Sequence, residues 1–320
     1  MSHFRPAWWC RGAHFQTIYG GLFRPAPKIS LRRERLEIPD GDFLDLDWLD
    51  SPQKSPLVII LHGLGSSSKA AYLGAIFGEI QKLGWRAVLL NARGVAEPNR
   101  LPETSHGGQT KDLDWVIHRV LEQKQADKIF LVGYSLGGNQ TLKWLGEKGN
   151  HIPEVGKAAV VSVPYNLAAA VRNLDQGFNR EVYTRAMLSG LKSTALRKEK
   201  NFPGIIDKKK VRGASTFAVY DREVTARLNG FKDEQEYWEK SSSVNYLGQI
   251  RRPVLLIHAR NDTFFPARDL PHEEIKKSEH LELLLTPDGG HLGFVSGKWP
   301  FRPDCWLEKT ILGFLQETFG

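Results

Sequence analysis

The run from Lys128 to Leu145 constrains this chain more than any other, because an apolar stretch there passes through a turn directly into a helical pattern. Ile129, Phe130, Leu131 and Val132 read as a buried strand, and Leu142 and Leu145 fall three apart on a following helix. Between them stands Gly133-Tyr134-Ser135-Leu136-Gly137. A strand that turns at once into a helix drives its central residue towards positive φ, and flanking glycines leave room for such a turn. Ser135 is therefore expected to be exposed on the tip. The N–H of Leu136, at the helix start, points at the same space and can stabilise an oxyanion developing there.

The rest of the chain is long enough to support that unit. Its 320 residues, 41% hydrophobic, can hold one large α/β domain with an insertion. Lysine and arginine number 44 against 36 acids, a net charge of +8. The basic residues are dispersed, and the densest clusters, Arg32-Arg33-Glu34-Arg35 and Lys208-Lys209-Lys210, lack any groove-reading or aromatic-interleaved motif. That argues against nucleic acid as a partner and reads as a solvated surface. Cys10 and Cys305, one near each end, form no disulfide framework and suit a reducing compartment. No metal-ligand pattern, dinucleotide fingerprint or P-loop occurs, so neither metal nor cofactor is expected. No stretch approaches ~18 apolar residues, so no integral membrane segment is expected and the reading is cytoplasmic.

Residues 1–30 are rich in proline, glycine and aromatics and read as an arm whose Trp8, Trp9, Phe15, Tyr19, Leu22 and Phe23 pack over the main body. Within it, His14-Phe15-Gln16-Thr17 reads as hydrogen-bonded packing in preference to direct chemistry. After a Pro39-Asp40-Gly41-Asp42 turn, Leu44, Leu46 and Trp48 alternate with Asp45 and Asp47, the period of a half-buried strand in an antiparallel hairpin. Strands are then expected at Leu57–Leu61, Arg86–Leu90, the Lys128 run, Ala158–Val163, Val254–Ala259 and Leu281–Leu285. Helices near Ala70–Leu83 and Leu113–Leu121 fall between the earlier strands, and a last helix is expected from about Asp304 to Phe319. Alternating strand and helix predicts a mostly parallel, doubly wound sheet. The rhythm breaks at 164–250, which reads as an inserted, mostly helical cap, leaving 31–163 and 251–320 as the core.

The G-x-S-x-G string on a strand–turn–helix resembles the nucleophile elbow of the α/β-hydrolase superfamily. A serine hydroxyl needs a base, and the base needs an acid to hold its tautomer. The resemblance implies the chain order Ser, Asp or Glu, His, with acid and base on loops leaving later strands. Asp262, just after the strand Val254–Ala259, and His291, reached through Thr286-Pro287-Asp288-Gly289-Gly290, meet those demands. Asp221, Asp269 and Asp288 are poorer acids by position. His62 precedes the serine and reads as structural, His258 sits inside a strand, His272 and His280 flank a solvated helix, and His106 reads as a loop residue near the site. His62-Gly63-Leu64-Gly65 follows an early strand, where such enzymes take a second oxyanion donor, here the backbone N–H of Leu64.

More narrowly, the chain resembles the YheT-type branch of esterases. The residues that carry this are His14-Phe15-Gln16-Thr17, His62-Gly63-Leu64-Gly65, Gly133 to Asn139, Phe231, Tyr237-Trp238, Ser241, Asn261-Asp262 and Gly289-Gly290-His291. Phe15 and Thr263 stand where leucine and proline are expected, and neither is a member of the Ser135, Asp262, His291 triad. The resemblance implies carboxylic-ester hydrolysis on a small or lipid-like ester. Two alternatives stay open at this point, an acyltransferase on the same scaffold and a ligand-binding protein that keeps the fold without catalysis.

Overall fold

The structure, a computed structural model, describes residues 3–52 and 54–317. Apolar runs with no polar interruption must be covered on both faces, and they form the middle of an eight-stranded sheet. In chain order the strands are β1 (Arg32–Glu37), β2 (Phe43–Leu49), β3 (Leu57–Leu61), β4 (Arg86–Leu90), β5 (Ile129–Tyr134), β6 (Val155–Val161), β7 (Val254–Ala259) and β8 (Leu281–Thr286). They lie in the spatial order β1-β2-β4-β3-β5-β6-β7-β8. β1 and β2 form an antiparallel hairpin that joins β4 antiparallel, and every pairing from β4 to β8 is parallel.

Successive residues of β3 serve opposite cores. Leu57, Ile59 and Leu61 pack with Val116 and Ile117 of α3 (Lys111–Glu122) and Leu142 of α4 (Leu136–Glu147). Val58 and Ile60 pack with Leu73, Ile76 and Phe77 of α2 (Ala71–Lys82) and with Leu307 and Ile311 of the C-terminal helix Trp306–Gln316. Each such fully buried aliphatic contributes roughly 1.5–3 kcal/mol, so the two layers hold the sheet from both sides. Between β6 and β7 the chain is mostly helical, from α5 (Leu167–Leu174) through a 17-residue helix at Arg185–Asn201 to a 3₁₀ turn at Ser243–Gln249. They enclose a separate apolar cluster that includes Leu188, Val211, Phe217 and Val224 and reaches Phe265.

The sheet and helices fall where the sequence places them, with four differences. β2 is buried at all seven positions instead of on one face. Asp45 accepts a two-bond fork from Arg35 at 2.9 and 3.0 Å, and Asp47 is paired with Arg33 and Asn91. Burial alone would push the Asp47 carboxyl up, yet these partners hold it below the usual carboxylate range. β6 begins three residues before Ala158 and ends at Val161, because Val155 pairs with Ile129 and the chain then bends at Ser162 (φ 50°). A two-stranded ribbon, β9 (Ser296–Trp299) with β10 (Arg302–Asp304), follows β8 without an apolar period to announce it. The C-terminal helix ends at Gln316, and the expected extension to Phe319 reaches outside the described residues.

The N-terminal aromatic cluster also divides. Tyr19 and Trp9 pack together with their centroids 4.8 Å apart, but Trp8, Phe15, Leu22 and Phe23 face solvent. What anchors this segment is polar. From α1 (Ala13–Ile18) the buried Gln16 amide donates to the carbonyls of Cys10 (2.6 Å) and Val295 (3.0 Å) and accepts from the Val295 N–H (2.6 Å).

Candidate active site

β5 ends at Tyr134 and α4 begins at Leu136, so Ser135 alone makes the turn between them. Its φ of 51° and ψ of −119° hold it in a region that costs a non-glycine residue about 1–3 kcal/mol. The turn is possible because Gly137 has no side chain: a Cβ there would stand 2.6 Å from the carbonyl oxygens of Leu61 and His62. Gly138 and Asn139 donate to the Ser135 carbonyl at 2.9 and 3.2 Å, which starts the helix. The first N–H of a helix has no partner inside it, and that of Leu136 belongs to this class.

Ser135 is not exposed on the tip as its sequence setting suggests; it is 7% exposed. Two segments cover it. The turn after β3 lies directly against it, so that a Cβ on Gly63 would be 3.2 Å from the serine Cβ. On the other side stands the loop after β8, with His291 Nε2 3.1 Å from Ser135 Oγ.

The His291 ring bridges to Asp262, with Nδ1 3.1 Å from Oδ2 and 3.3 Å from Oδ1. With the proton on Nδ1, the imidazole donates to the carboxylate and accepts from the serine hydroxyl. Asp262 follows β7, where its Oδ1 also accepts the backbone N–H groups of Phe264 (2.8 Å) and Phe265 (3.1 Å). Burial pushes this carboxyl up, but the facing His291, His258 and the Phe265 N–H outweigh it and hold it below the usual range. Asp262 thus stays ionised at neutral pH, in a site where it is 4% and His291 7% exposed. Phe264 stacks on the His291 ring at 4.1 Å and 19°, and Tyr183 packs on Phe264 at 4.8 Å.

All three residues singled out in the sequence meet. The other candidates do not join them. His62 is committed on both nitrogens: Nδ1 lies 2.7 Å from the Gly63 carbonyl, and Nε2 accepts the Ala92 N–H at 3.1 Å. His258 Nε2 lies 2.8 Å from the Phe265 carbonyl. His106 packs edge-on against Phe231 and Tyr237, and burial pushes its pKa down to about 4. Leu64 lies in the turn over the serine, where the Gly63 N–H is already held by the Tyr72 hydroxyl (3.1 Å). Asp221 is buried against Trp238 Nε1 (2.8 Å), and Asp288 accepts from Asn261 (2.9 Å).

Three supporting residues carry more than the sequence suggested. Thr17 accepts the backbone N–H of His291 at 2.9 Å while donating to the Ala13 carbonyl at 2.8 Å. Asn261 accepts from Gly290 N–H at 3.1 Å, tying the loop of Asp262 to that of His291. Asn139 donates to the carbonyls of Gly107 (2.9 Å) and Ser241 (2.7 Å) and accepts from Ser243 N–H (2.9 Å), joining α4 to the segment before β7. A threonine in an aromatic segment gave no sign of its partner; the nearest signal was the His14-Phe15-Gln16-Thr17 resemblance.

The sequence profile described as alpha/beta hydrolase fold matches residues 56–298. YheT of Escherichia coli (strain K12), which bears an esterase's name, is 36% identical over 312 residues, covering 94% of this chain and 89% of that protein. The phospholipase ABHD3 of Homo sapiens is 29% identical over 320 residues, covering 97% of this chain and 78% of its own. Among solved structures, the Pyrococcus furiosus esterase Pf2001 superposes with a TM-score of 0.55 at 16% identity, over 84% of this chain and 89% of that one, a likeness of fold. With its parallel sheet, its single-residue turn at Ser135 and these relatives, the chain belongs to the α/β hydrolase fold family and, within it, to the YheT-type branch.

Proposed function

We propose that this protein is a serine carboxylic-ester hydrolase that works through an acyl-enzyme. The observation that carries the proposal is the bridging His291, 3.1 Å from the Ser135 hydroxyl on one nitrogen and 3.1 Å from the Asp262 carboxylate on the other. His291 takes the Ser135 proton as the oxygen attacks the ester carbonyl, and Asp262 stabilises the imidazolium and fixes its orientation. The oxyanion is held by the N–H groups of Leu136, at the start of α4, and Leu64, in the turn lying on the serine. Each such donor contributes roughly 2.7–4 kcal/mol to the transition state. The imidazolium returns its proton to the departing alcohol. Water, deprotonated by the same ring, then attacks the acyl-enzyme to release the acid and restore Ser135.

The esterase, phospholipase and lipase names of the relatives support an ester as substrate, small or lipid-like. In this reading residues 1–30 form an arm over the core, and 164–250 form a cap whose own cluster reaches Phe265 beside the site. A fluorophosphonate probe tests the proposal: the wild type labels at Ser135 and Ser135→Ala does not. Ester turnover in Ser135→Ala equal to that of the wild type refutes it. Product analysis with an added alcohol should give free acid as the main product, and predominant transfer to the alcohol would replace hydrolase with acyltransferase.

A further inference from the structure

The large apolar residues left exposed define a surface. Trp8, Phe15, Leu22, Phe23, Trp299 and Phe301 are 46–85% exposed. They are held together through Tyr19, whose ring contacts Trp9, Phe15 and Phe23 and whose hydroxyl donates to the Pro300 carbonyl. Trp8 Nε1 donates to the Lys298 carbonyl at 3.2 Å, which fixes the N-terminal segment against the β9–β10 ribbon. Scattered apolar side chains are normal on a protein surface, but a contiguous aromatic patch marks a contact site.

Charge indicates what the patch contacts. No aspartate or glutamate occurs from residue 3 to residue 31, nor from 289 until Asp304. The exposed cations Arg5, Arg11, Lys298 and Arg302 lie in these two segments, and Arg302 is paired across the ribbon with Trp299. Dispersed along the sequence as they are, the basic residues here border the aromatics, and the ribbon's one carboxylate, the exposed Asp304, lies against Ser296 and Gly297 at the end away from Trp299 and Phe301. Tryptophan and phenylalanine set among arginine and lysine suit the boundary of a lipid bilayer with anionic headgroups, where rings enter the acyl boundary and cations meet phosphate. A protein partner of ordinary composition offers no reason for the missing carboxylates.

We propose that this face docks the protein on an anionic phospholipid bilayer. α1 then connects docking to the site, since Phe15 points outward from the same helix whose Thr17 holds His291. Among the described residues no helix is long and apolar enough to cross a membrane, so the attachment is peripheral. Docking itself does not depend on the hydrolytic reading, and the experiment measures it without turnover.

The full chain is sedimented with phosphatidylcholine vesicles and with vesicles that also contain about 30% phosphatidylglycerol. Binding is expected on the anionic vesicles and should weaken in about 0.5 M salt. The triple variant Phe23→Ser, Trp299→Ser, Phe301→Ser should partition roughly ten-fold or more weakly, by loss of apolar area. Arg5→Gln with Arg11→Gln and Lys298→Gln should remove most of the salt dependence. Both variants should keep the wild-type melting temperature and the wild-type rate on a short, water-soluble ester. Absence of binding to anionic vesicles overturns the proposal, and so does equal binding to neutral ones. A dimer by light scattering that the triple variant abolishes, with vesicles ignored, would show instead that the face joins two copies of the chain.

Discussion

Replacing Thr17 by valine keeps the shape of a β-branched side chain and substitutes a methyl for the one oxygen that accepts the His291 N–H at 2.9 Å. Thr17 and His291 are both buried, so no water is at hand to take over that hydrogen bond. An unsatisfied buried N–H costs about 1–3 kcal/mol. The loop has two ways to respond. If it stays in place, the whole cost falls on stability. If it shifts to find another acceptor, Nε2 leaves Ser135 Oγ, and the same energy appears as a fall in kcat of roughly five- to 150-fold. Thr17 is thus a positioning residue, and KM for a small soluble ester should hardly change. Thr17→Ser keeps the acceptor and should restore both quantities. The assay is kcat and KM on that ester, with urea unfolding on the same samples. A valine variant matching the wild type in both stability and kcat would refute the argument, as would a serine variant no better than valine.

Three further outcomes follow from the described contacts. Asp262→Asn should cut kcat by several orders of magnitude with little change in fold, because the amide presents a donor to Nδ1 and favours the wrong tautomer; a loss under ten-fold would contradict the orienting role. Asp221, whose carboxyl burial pushes up to about 7, binds a proton more tightly folded than unfolded. Its stabilising effect is therefore complete below about 3.8 and is lost as pH rises towards 7. Asp221→Asn mimics the protonated acid, so melting temperatures of variant and wild type should agree at low pH and diverge in the variant's favour by pH 8; parallel curves would contradict this. Glu308 and Arg24 form a buried two-bond pair at 2.9 Å, so Glu308→Gln leaves a guanidinium with no counter-charge and should cost about 3–5 kcal/mol in urea unfolding. A cost below about 1 kcal/mol would mean that the charge is neutralised in some other way.

The parallel sheet was legible because strands covered on both faces, such as Val58 to Ile60 and Leu131 to Val132, must be apolar at every position. Ser135 was legible for a local reason, since strand, turn and helix meet within a few residues. What escaped notice depends on distant partners. Asp45 and Asp47 signal a solvent face until Arg35 and Arg33 pair with them from the neighbouring strand. The burial of Ser135 depends on the turn at Gly63, which adjacency in the sheet brings to it. Thr17 acquires its role from a residue 274 positions away, and hydrophobic periodicity carries no trace of such a contact.

That last separation governs when a working site can exist. As the polypeptide is made, the sheet around Ser135 can form long before residue 291 emerges, yet the serine then has no imidazole beside it. The imidazole gains its place only when its loop meets the threonine hydroxyl and Gln16 amide of the first helix. In the proposed mechanism reactivity therefore arrives in one late event of folding, and a partly synthesised chain holds Ser135 without its partner.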